Sequence, residues 1–137
     1  MPIPVRVVSV ERSLFEGEAD FILARSTIGE LGVLPRHAPL LAVLAPGELR
    51  VDKTGGGSEV LFVGGGFMEV LPDRVTVLAD VAERADEINL ERAEQTRRSV
   101  QERLAGQVGT EERVELEQAL ARAEARLRLA RIRRGGG

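Results

Sequence analysis

The 137-residue chain contains no cysteine, no tryptophan and no tyrosine, and it has one histidine, His37, and one lysine, Lys53. Without cysteine there is no disulfide framework, no thiolate nucleophile and no cysteine metal site. His37 has no second imidazole with which to bind a metal ion, and no serine lies in a glycine-flanked nucleophile turn. We therefore expect no metal site and no catalytic centre, and we interpret His37 as a packing or interface residue.

The chain also lacks long apolar runs and an excess of basic residues. No apolar run approaches the ~20 residues that cross a bilayer, and no signal-peptide-like segment begins the chain. A formal net charge of −3 and only four aromatic residues, all Phe, argue against nucleic acid as a ligand. We predict a soluble protein that reaches a membrane only through a partner.

From Val5 to about Ala82 the pattern is that of β structure. Short strands are predicted at residues 5–10, 20–25, 48–52, 59–63, 69–71 and 74–78. Many short strands without intervening helices predict an antiparallel sandwich or barrel. Gly64-Gly65-Gly66 lacks the Lys-Ser/Thr and the helix that follow a phosphate-binding loop, so we interpret it as a bulge or a close backbone approach.

Near Asp86 the apolar spacing changes from two residues to about 3.6. Asn89 is predicted to cap a first helix and Thr110 to begin a second, with glycines ending the first. The short connection predicts an antiparallel hairpin. Each helix has one narrow, alanine-rich stripe, so we expect a marginal hairpin that can open. The stripes are Leu90, Ala93, Val100 and Leu104, and Leu116, Leu120, Ala123, Leu127 and Ala130.

The second helix also carries a run of arginines: Arg122, Arg126, Arg128, Arg131, Arg133 and Arg134. One interpretation is a solvated helix end, where cations interact favourably with the helix dipole. The other is a site for an anion or an acidic partner, because Arg122 and Arg126 are neighbours one turn apart. The residues alone leave both interpretations open.

Residues 25–50 are mostly apolar and contain three prolines, Pro35, Pro39 and Pro46. A core strand would not tolerate these prolines and a surface loop would be more polar, so we predict an ordered loop that meets a partner. Within this segment, Gly-Glu-Leu-Gly-Val-Leu-Pro-Arg-His-Ala-Pro-Leu at 29–40 resembles the signature of the epsilon subunit of F-type ATP synthases. Similar stretches extend the resemblance over nearly the whole chain, at 46–49, 65–70, 75–80 and 88–93.

The resemblance implies a β-sandwich of about ten strands followed by an antiparallel two-helix hairpin. We assign the sandwich to residues 1–85, the hairpin to 86–134 and a disordered tail to 135–137. The implied function is that of a non-catalytic rotor subunit in the central stalk of a bacterial ATP synthase, which makes ATP from ADP with a transmembrane proton gradient. The subunit would couple rotation to catalysis and inhibit ATP hydrolysis through its helices, as a peripheral protein on the cytoplasmic face of the cell membrane.

The resemblance also implies partner surfaces. The sandwich would bind the gamma subunit and the ring of c subunits, and the hairpin would reach the alpha/beta catalytic head. Arg122, Arg126 and Arg128 would approach an acidic segment of the beta subunit. The residues that would face the c-ring are Glu30, Leu31, Gly32, Val33, Leu34, Pro35, Arg36 and His37.

A regulatory ATP site is implied by the motif that some family members carry on the folded hairpin, and no other cofactor is required. The matching residues are Glu83, Ile88, Asn89, Arg92, Ala93, Arg122 and Arg126. Asn89 stands where the motif has Asp, which keeps a hydrogen-bond acceptor but no charge. The alternative is a free-standing β-sandwich binding module with a helical oligomerisation tail. A small enzyme is a further alternative, for which the sequence offers no nucleophile and base pair.

Overall fold

The computed structural model describes the backbone of residues 2–135 and the side chains of residues 2–132. The chain divides into two compact units after Arg84. The first unit holds eight strands and the second holds a 3-10 turn and two helices. The strands are β1 (Ile3–Ser9), β2 (Ser13–Ser26), β3 (Gly29–Val33), β4 (Leu40–Lys53), β5 (Ser58–Val63), β6 (Gly66–Leu71), β7 (Arg74–Ala79) and β8 (Ala82–Arg84). The 3-10 turn is Ala85–Glu87, and the helices are α1 (Leu90–Ala105) and α2 (Thr110–Gly135).

The predicted β-sandwich followed by a two-helix hairpin is confirmed, with eight strands in the described residues instead of about ten. The count differs because β2 and β4 are each 14 residues long and change neighbours along their length. β4 pairs with β6 up to Leu44 and with β5 from Gly47 onward. β2 pairs with β1 up to Ala19 and then with β3 and β4. Each long strand therefore takes the place of two shorter ones.

One strand pair departs from the predicted antiparallel arrangement. β1 and β7 are parallel, with Val5 opposite Val75. The reason is topological, because β1, β2, β4, β6 and β7 form a closed circuit of neighbouring strands. The other four pairs in this circuit are antiparallel. Each antiparallel pair reverses the strand direction, so four such pairs in succession restore the direction of the first strand. The fifth pair, which closes the circuit between β7 and β1, must therefore be parallel.

The loop predicted at residues 25–50 is wrong over much of its length, since β3 and most of β4 lie there. Pro35 and Pro39 fall between these strands. Pro46 lies inside β4 where the pairing passes from β6 to β5, and a bulge is one of the few places where a sheet accepts a residue without an N–H. Pro46 therefore marks the point at which β4 changes partners.

The sandwich core is formed by alternate residues of the strands. β1, β6 and β7 alternate strictly between buried and outward positions over their central residues, which is the period-two pattern of a sheet with one covered face. Fully buried residues include Val7, Ile22, Val51, Leu61, Met68 and Val77.

Gly66 confirms the interpretation of the triple glycine as a close backbone approach. Its φ is +130°, and a Cβ placed there would collide with the carbonyl oxygen of Leu78 and lie 2.9 Å from the Cα of Ala79. No L residue fits both the space and the dihedral angle. The glycine thus allows β6 to pair tightly with β7.

The helical unit follows most of the predicted pattern. Asn89 is the N-cap of α1, where its Oδ1 accepts a hydrogen bond from the Arg92 N–H at 3.0 Å. α2 begins at Thr110 as predicted. α1 ends at Ala105 and is capped by Gly106, whose φ of −90° lies outside the left-handed region that glycine often adopts at this position. Gly135 is the last residue of α2, and positions 136 and 137 of the predicted tail lie outside the described residues.

α2 is buried on two faces, whereas the sequence predicts one stripe. Ala123, Leu127 and Ala130 lie on one face, and Ala125 and Leu129 lie roughly 200° around the helix from it. α2 contacts both α1 and the 3-10 turn. Near the connection between the helices, Leu116 and Leu120 are only half-buried. The tight packing of the hairpin is therefore concentrated in the second half of α2.

Candidate functional site

The segment predicted to face a ring of c subunits begins on β3, a strand at the edge of the sheet. Leu31 packs against the core and Val33 is fully buried, so neither is exposed for contact with a partner. The exposed members are Glu30, Gly32, Leu34 and Arg36. Alternation explains the division within β3, because successive side chains point to opposite faces, while Leu34 and Arg36 follow the end of the strand. Four of the eight predicted residues are thus exposed, and whether they meet a partner stays a prediction.

The backbone beyond β3 turns sharply. Arg36 has a φ of +64°, which places a residue other than glycine in the left-handed region. The half-buried His37 ring follows, with Nδ1 2.7 Å from the carbonyl oxygen of Ala38. Leu34, just before this turn, is 62% exposed. The turn holds an apolar side chain out from an edge strand.

A second exposed apolar residue, Ile28, lies at the tip between β2 and β3 and is 97% exposed. The tip is ordered by Ser26, whose hydroxyl donates to the Gly29 carbonyl at 2.7 Å and accepts from the Ile28 N–H at 3.3 Å. Sequence reasoning missed Ile28, although an apolar residue between Ser-Thr and Gly in a turn is a usable signal. We define the edge surface as Ile28, Glu30, Gly32, Leu34 and Arg36.

Four apolar residues lie side by side on the outward face of β1, β7, β6 and β4. Strand register pairs Val8 with Leu78, Leu78 with Phe67, and Phe67 with Val43. Val43, Phe67 and Leu78 are 48%, 49% and 56% exposed. We define these four residues as the outer apolar row. Sequence reasoning did not find it, although the break in alternation at Val77-Leu78-Ala79 was a signal.

Contiguous exposed apolar side chains on an ordered sheet are typical of a protein contact surface. The row crosses four neighbouring strands, so its backbone is held by pairing on both sides. Leu41, two residues before Val43 on β4 and on the same face, is 66% exposed and extends the patch. The backbone beneath this surface is therefore held in place by the hydrogen bonds of the sheet.

The residues predicted to hold ATP belong to both units, and Glu83 lies on β8 in the first. In the second unit Ile88 and Ala93 are buried, while Asn89 and Arg92 are exposed at the start of α1. The Asn89 oxygen is already engaged in the helix cap, which leaves one lone pair for a ligand. This capping role explains why Asn serves at the position, since Asn and Asp cap helices about equally well.

The three arginines predicted to meet an acidic partner do not share one face. Arg122 and Arg126 are half-buried and lie one turn apart on α2. Arg128 is exposed and lies roughly 200° around the helix from Arg126. A single flat partner surface cannot contact all three while α2 is packed in the hairpin.

Two ion pairs connect the helices at opposite ends of the hairpin. Arg103 Nη2 lies 2.8 Å and 3.0 Å from the two carboxylate oxygens of Glu112, beside the connection. Arg131 Nη2 lies 2.8 Å from Glu94 Oε1 at the far end. Both pairs are partly exposed, so each stabilises the closed hairpin modestly and in a salt-dependent way.

Within residues 2–135, neither helix is long and apolar enough to cross a membrane. No group of three His, Asp or Glu side chains that could hold a metal ion occurs among the described residues. The features that stand out in the described chain are thus contact surfaces and arginines.

Comparison with known proteins gives a consistent result. Residues 2–85 match the family model for the β-sandwich domain of the ATP synthase delta/epsilon chain, and residues 86–131 match that for its long α-helix domain. A chain from Herpetosiphon aurantiacus named ATP synthase epsilon chain is 49% identical over 134 residues, covering 98% of both chains. Another of that name from Acidithiobacillus ferridurans is 47% identical, covering 97% of this chain and 90% of its own.

Solved structures with similar folds come from mitochondrial ATP synthases. A chain in the OSCP/F1/c-ring structure from Euglena gracilis superimposes with a TM-score of 0.80 at 25% identity, covering 90% of this chain and 78% of that one. A chain in the central stalk and c-ring structure from Tetrahymena thermophila has a TM-score of 0.70 at 12% identity, which is a likeness of fold alone.

Proposed function

Because this chain belongs to the ATP synthase delta/epsilon chain family, we propose that it is a non-catalytic subunit of the central stalk of a bacterial ATP synthase. The observation that carries the proposal is the outer apolar row, an exposed apolar surface on paired strands that is suited to a protein partner. The Euglena and Tetrahymena chains of similar fold come from assemblies that include a c-ring. In such an enzyme this chain would lie on the cytoplasmic face of the membrane and couple proton-driven rotation to synthesis of ATP from ADP.

The outer apolar row is the proposed contact with the gamma subunit. Phe67 lies inside the row, between Val43 and Leu78, so docking would bury it most completely. Large aromatic side chains at the centre of an interface commonly carry much of the binding free energy. Phe67→Ala should therefore weaken gamma binding at least about tenfold, which corresponds to ~1.4 kcal/mol.

Co-purification and titration with the gamma subunit of the same bacterium test this contact. Val81→Ala is the matched control, because Val81 is a 41% exposed apolar residue of the same unit outside the row. The control should bind within about twofold of the unchanged chain. A folded unchanged chain that does not bind gamma would overturn the proposal and favour a free-standing binding module.

The edge surface is the proposed contact with the c-ring. Leu34→Ser removes an exposed apolar contact without opening the core, since Leu34 is 62% exposed while its neighbour Val33 is fully buried. In the reassembled enzyme this variant should lower proton pumping per ATP hydrolysed and leave the melting temperature of the isolated subunit unchanged. A fall in melting temperature that matches the loss of coupling would instead mean that Leu34 supports the fold.

The helical hairpin is the proposed regulatory element. ATP bound near Asn89, Arg92, Arg122 and Arg126 would relieve repulsion between the two arginines of α2 and favour the closed hairpin. In an open state the same arginines would meet an acidic surface of the catalytic head and inhibit ATP hydrolysis. Support comes from the position of Arg122 and Arg126, one turn apart and half-buried.

The double variant Arg122→Ala, Arg126→Ala should weaken both ATP binding by the isolated chain and inhibition in the assembled enzyme. Arg113→Ala is the control, because Arg113 is an exposed arginine near the start of the same helix. Unchanged hydrolysis in the double variant would reject the inhibitory role. Absence of ATP binding by both the unchanged chain and Asn89→Asp would reject the nucleotide site.

A further inference from the structure

The helical unit contains a cleft of about 340 Å³ on the flank of the hairpin. Arginines from both helices line it, together with two apolar side chains and one carboxylate. The lining residues are Arg97 of α1 and Glu124, Leu127, Arg128, Arg131 and Ile132 of α2. Cationic groups from two separate helices therefore converge on one concave surface.

The positive charge of this cleft is incompletely neutralised. Arg131 pairs with Glu94 at 2.8 Å. Arg97 and Arg128, by contrast, form no ion pair with a carboxylate among residues 2–132. The Nε of Arg97 is buried and has no hydrogen-bond partner within the part of the chain that the structure describes. The Arg97 side chain as a whole is half-buried, so its cost is that of one unsatisfied buried N–H donor and not that of a fully buried charge.

We propose that this cleft binds a phosphate-class anion through Arg97, Arg128 and Arg131. Three guanidinium groups provide more donors than a planar carboxylate can accept, whereas a phosphate group presents three or more oxygens. The volume exceeds that of one phosphate group and suits a diphosphate or a phosphate ester. Ile132, which is 62% exposed, would contact the less polar part of such an ester.

The cleft is separate from the residues assigned to ATP. On α2, Arg128 lies roughly 200° around the helix from Arg126, and Arg131 lies roughly 140° from it. On α1, Arg97 lies roughly 140° from Arg92. The two arginine sets therefore occupy different flanks of the hairpin, and each can be changed without removing the other.

An anion in this cleft would bridge α1 and α2. It would add attractive contacts across the hairpin and relieve repulsion between Arg128 and Arg131, which are three residues apart. The ligand would thereby favour the closed arrangement of the helices, by an amount that rises with its concentration. Phosphate status could then be sensed by the hairpin independently of ATP.

The test is a calorimetric titration of the full chain with pyrophosphate and with inorganic phosphate, at an ionic strength held constant with sodium chloride. We expect saturable binding of pyrophosphate at one site and a shift of the Arg97 Nε–Hε resonance in the NMR spectrum. Arg97→Gln and Arg128→Gln should each weaken binding at least about tenfold. Arg98→Gln should change it by less than about twofold, because Arg98 is an exposed neighbour outside the cleft.

Circular dichroism first establishes that each variant is folded, and the exposed Arg128 keeps the test valid if Arg97→Gln does not fold. Equal weakening by Arg98→Gln would reduce the effect to general electrostatics and overturn the proposal. Absence of saturable binding would also overturn it. Retention of pyrophosphate binding in the Arg122→Ala, Arg126→Ala variant would support a separate site, and its loss would assign the anion to the ATP residues instead.

Discussion

Leu127→Ala tests whether the hairpin opens independently of the sandwich. Leu127 is 2% exposed, and its nearest neighbours on the same face of α2 are Ala123 and Ala130. Replacing a buried leucine with alanine costs about 2–5 kcal/mol, depending on how well the surroundings close the cavity. Alanines have no flexible side-chain atoms that could move into the gap. We therefore expect a loss of ~3 kcal/mol or more in the free energy of hairpin opening.

This loss has a measurable consequence in local dynamics. A change of ~3 kcal/mol raises the open population about a hundredfold, since each 1.4 kcal/mol is a factor of ten. Hydrogen exchange should accelerate by that factor at the interior amides of α1 and α2. Amides of β6 and β7 should keep their protection, because their core is contained in the first unit.

Val114→Ala is the matched control on the same helix. Val114 is 51% exposed, so removal of its methyl groups leaves no cavity and should change exchange by less than about twofold. Unchanged hairpin exchange in Leu127→Ala would refute the packing argument. Equal loss of protection in the sandwich would refute the independence of the two units.

Three further predictions concern single contacts. Gly66→Ala should destabilise the sandwich by at least ~2 kcal/mol in denaturant unfolding, because the new Cβ would collide with Leu78. Gly55→Ala is the control, because Gly55 also has a positive φ but lies in open space; equal effects of the two substitutions would reject the steric argument. Asn89→Ala should lower hairpin stability by ~1 kcal/mol through loss of the cap, and Asn89→Asp should retain it; equal melting curves would contradict the capping role. Glu112→Gln should weaken the closed hairpin by ~0.2–1 kcal/mol at low salt, because it removes the ion pair with Arg103. Salt screens such a pair, so an equally large effect of the substitution in 1 M salt would exclude the ion pair as its cause.

The sequence predicts the fold well where one physical rule acts alone. Period-two alternation locates β6 and β7, and the Asn89 cap and Thr110 locate the starts of both helices. It fails where long-range pairing overrides a local signal. A proline such as Pro46 locally disfavours a strand, yet β4 continues through Pro46 because the strand changes pairing partners at that point.

The candidate surfaces were only partly predictable for the same reason. The segment Glu30–His37 is recognisable as a motif, but only the register of β3 against β2 shows that Val33 faces inward. The outer apolar row unites Val43, Phe67 and Leu78, which are distant in sequence and meet only through sheet topology. The cleft at Arg97 likewise depends on the register of two helices, which a single helical pattern cannot specify.

The parallel pair between β1 and β7 has a consequence for how the chain folds. Val5 cannot meet Val75 until nearly all of the β half has been synthesised, so the first strand made is among the last to complete its pairing. Contacts between residues so far apart in sequence slow folding, because the intervening chain must be ordered before they form. The connection between α1 and α2 is short, so the hairpin forms from local contacts. We therefore expect a slow folding phase that belongs to closure of the strand circuit and a faster phase that belongs to the helices.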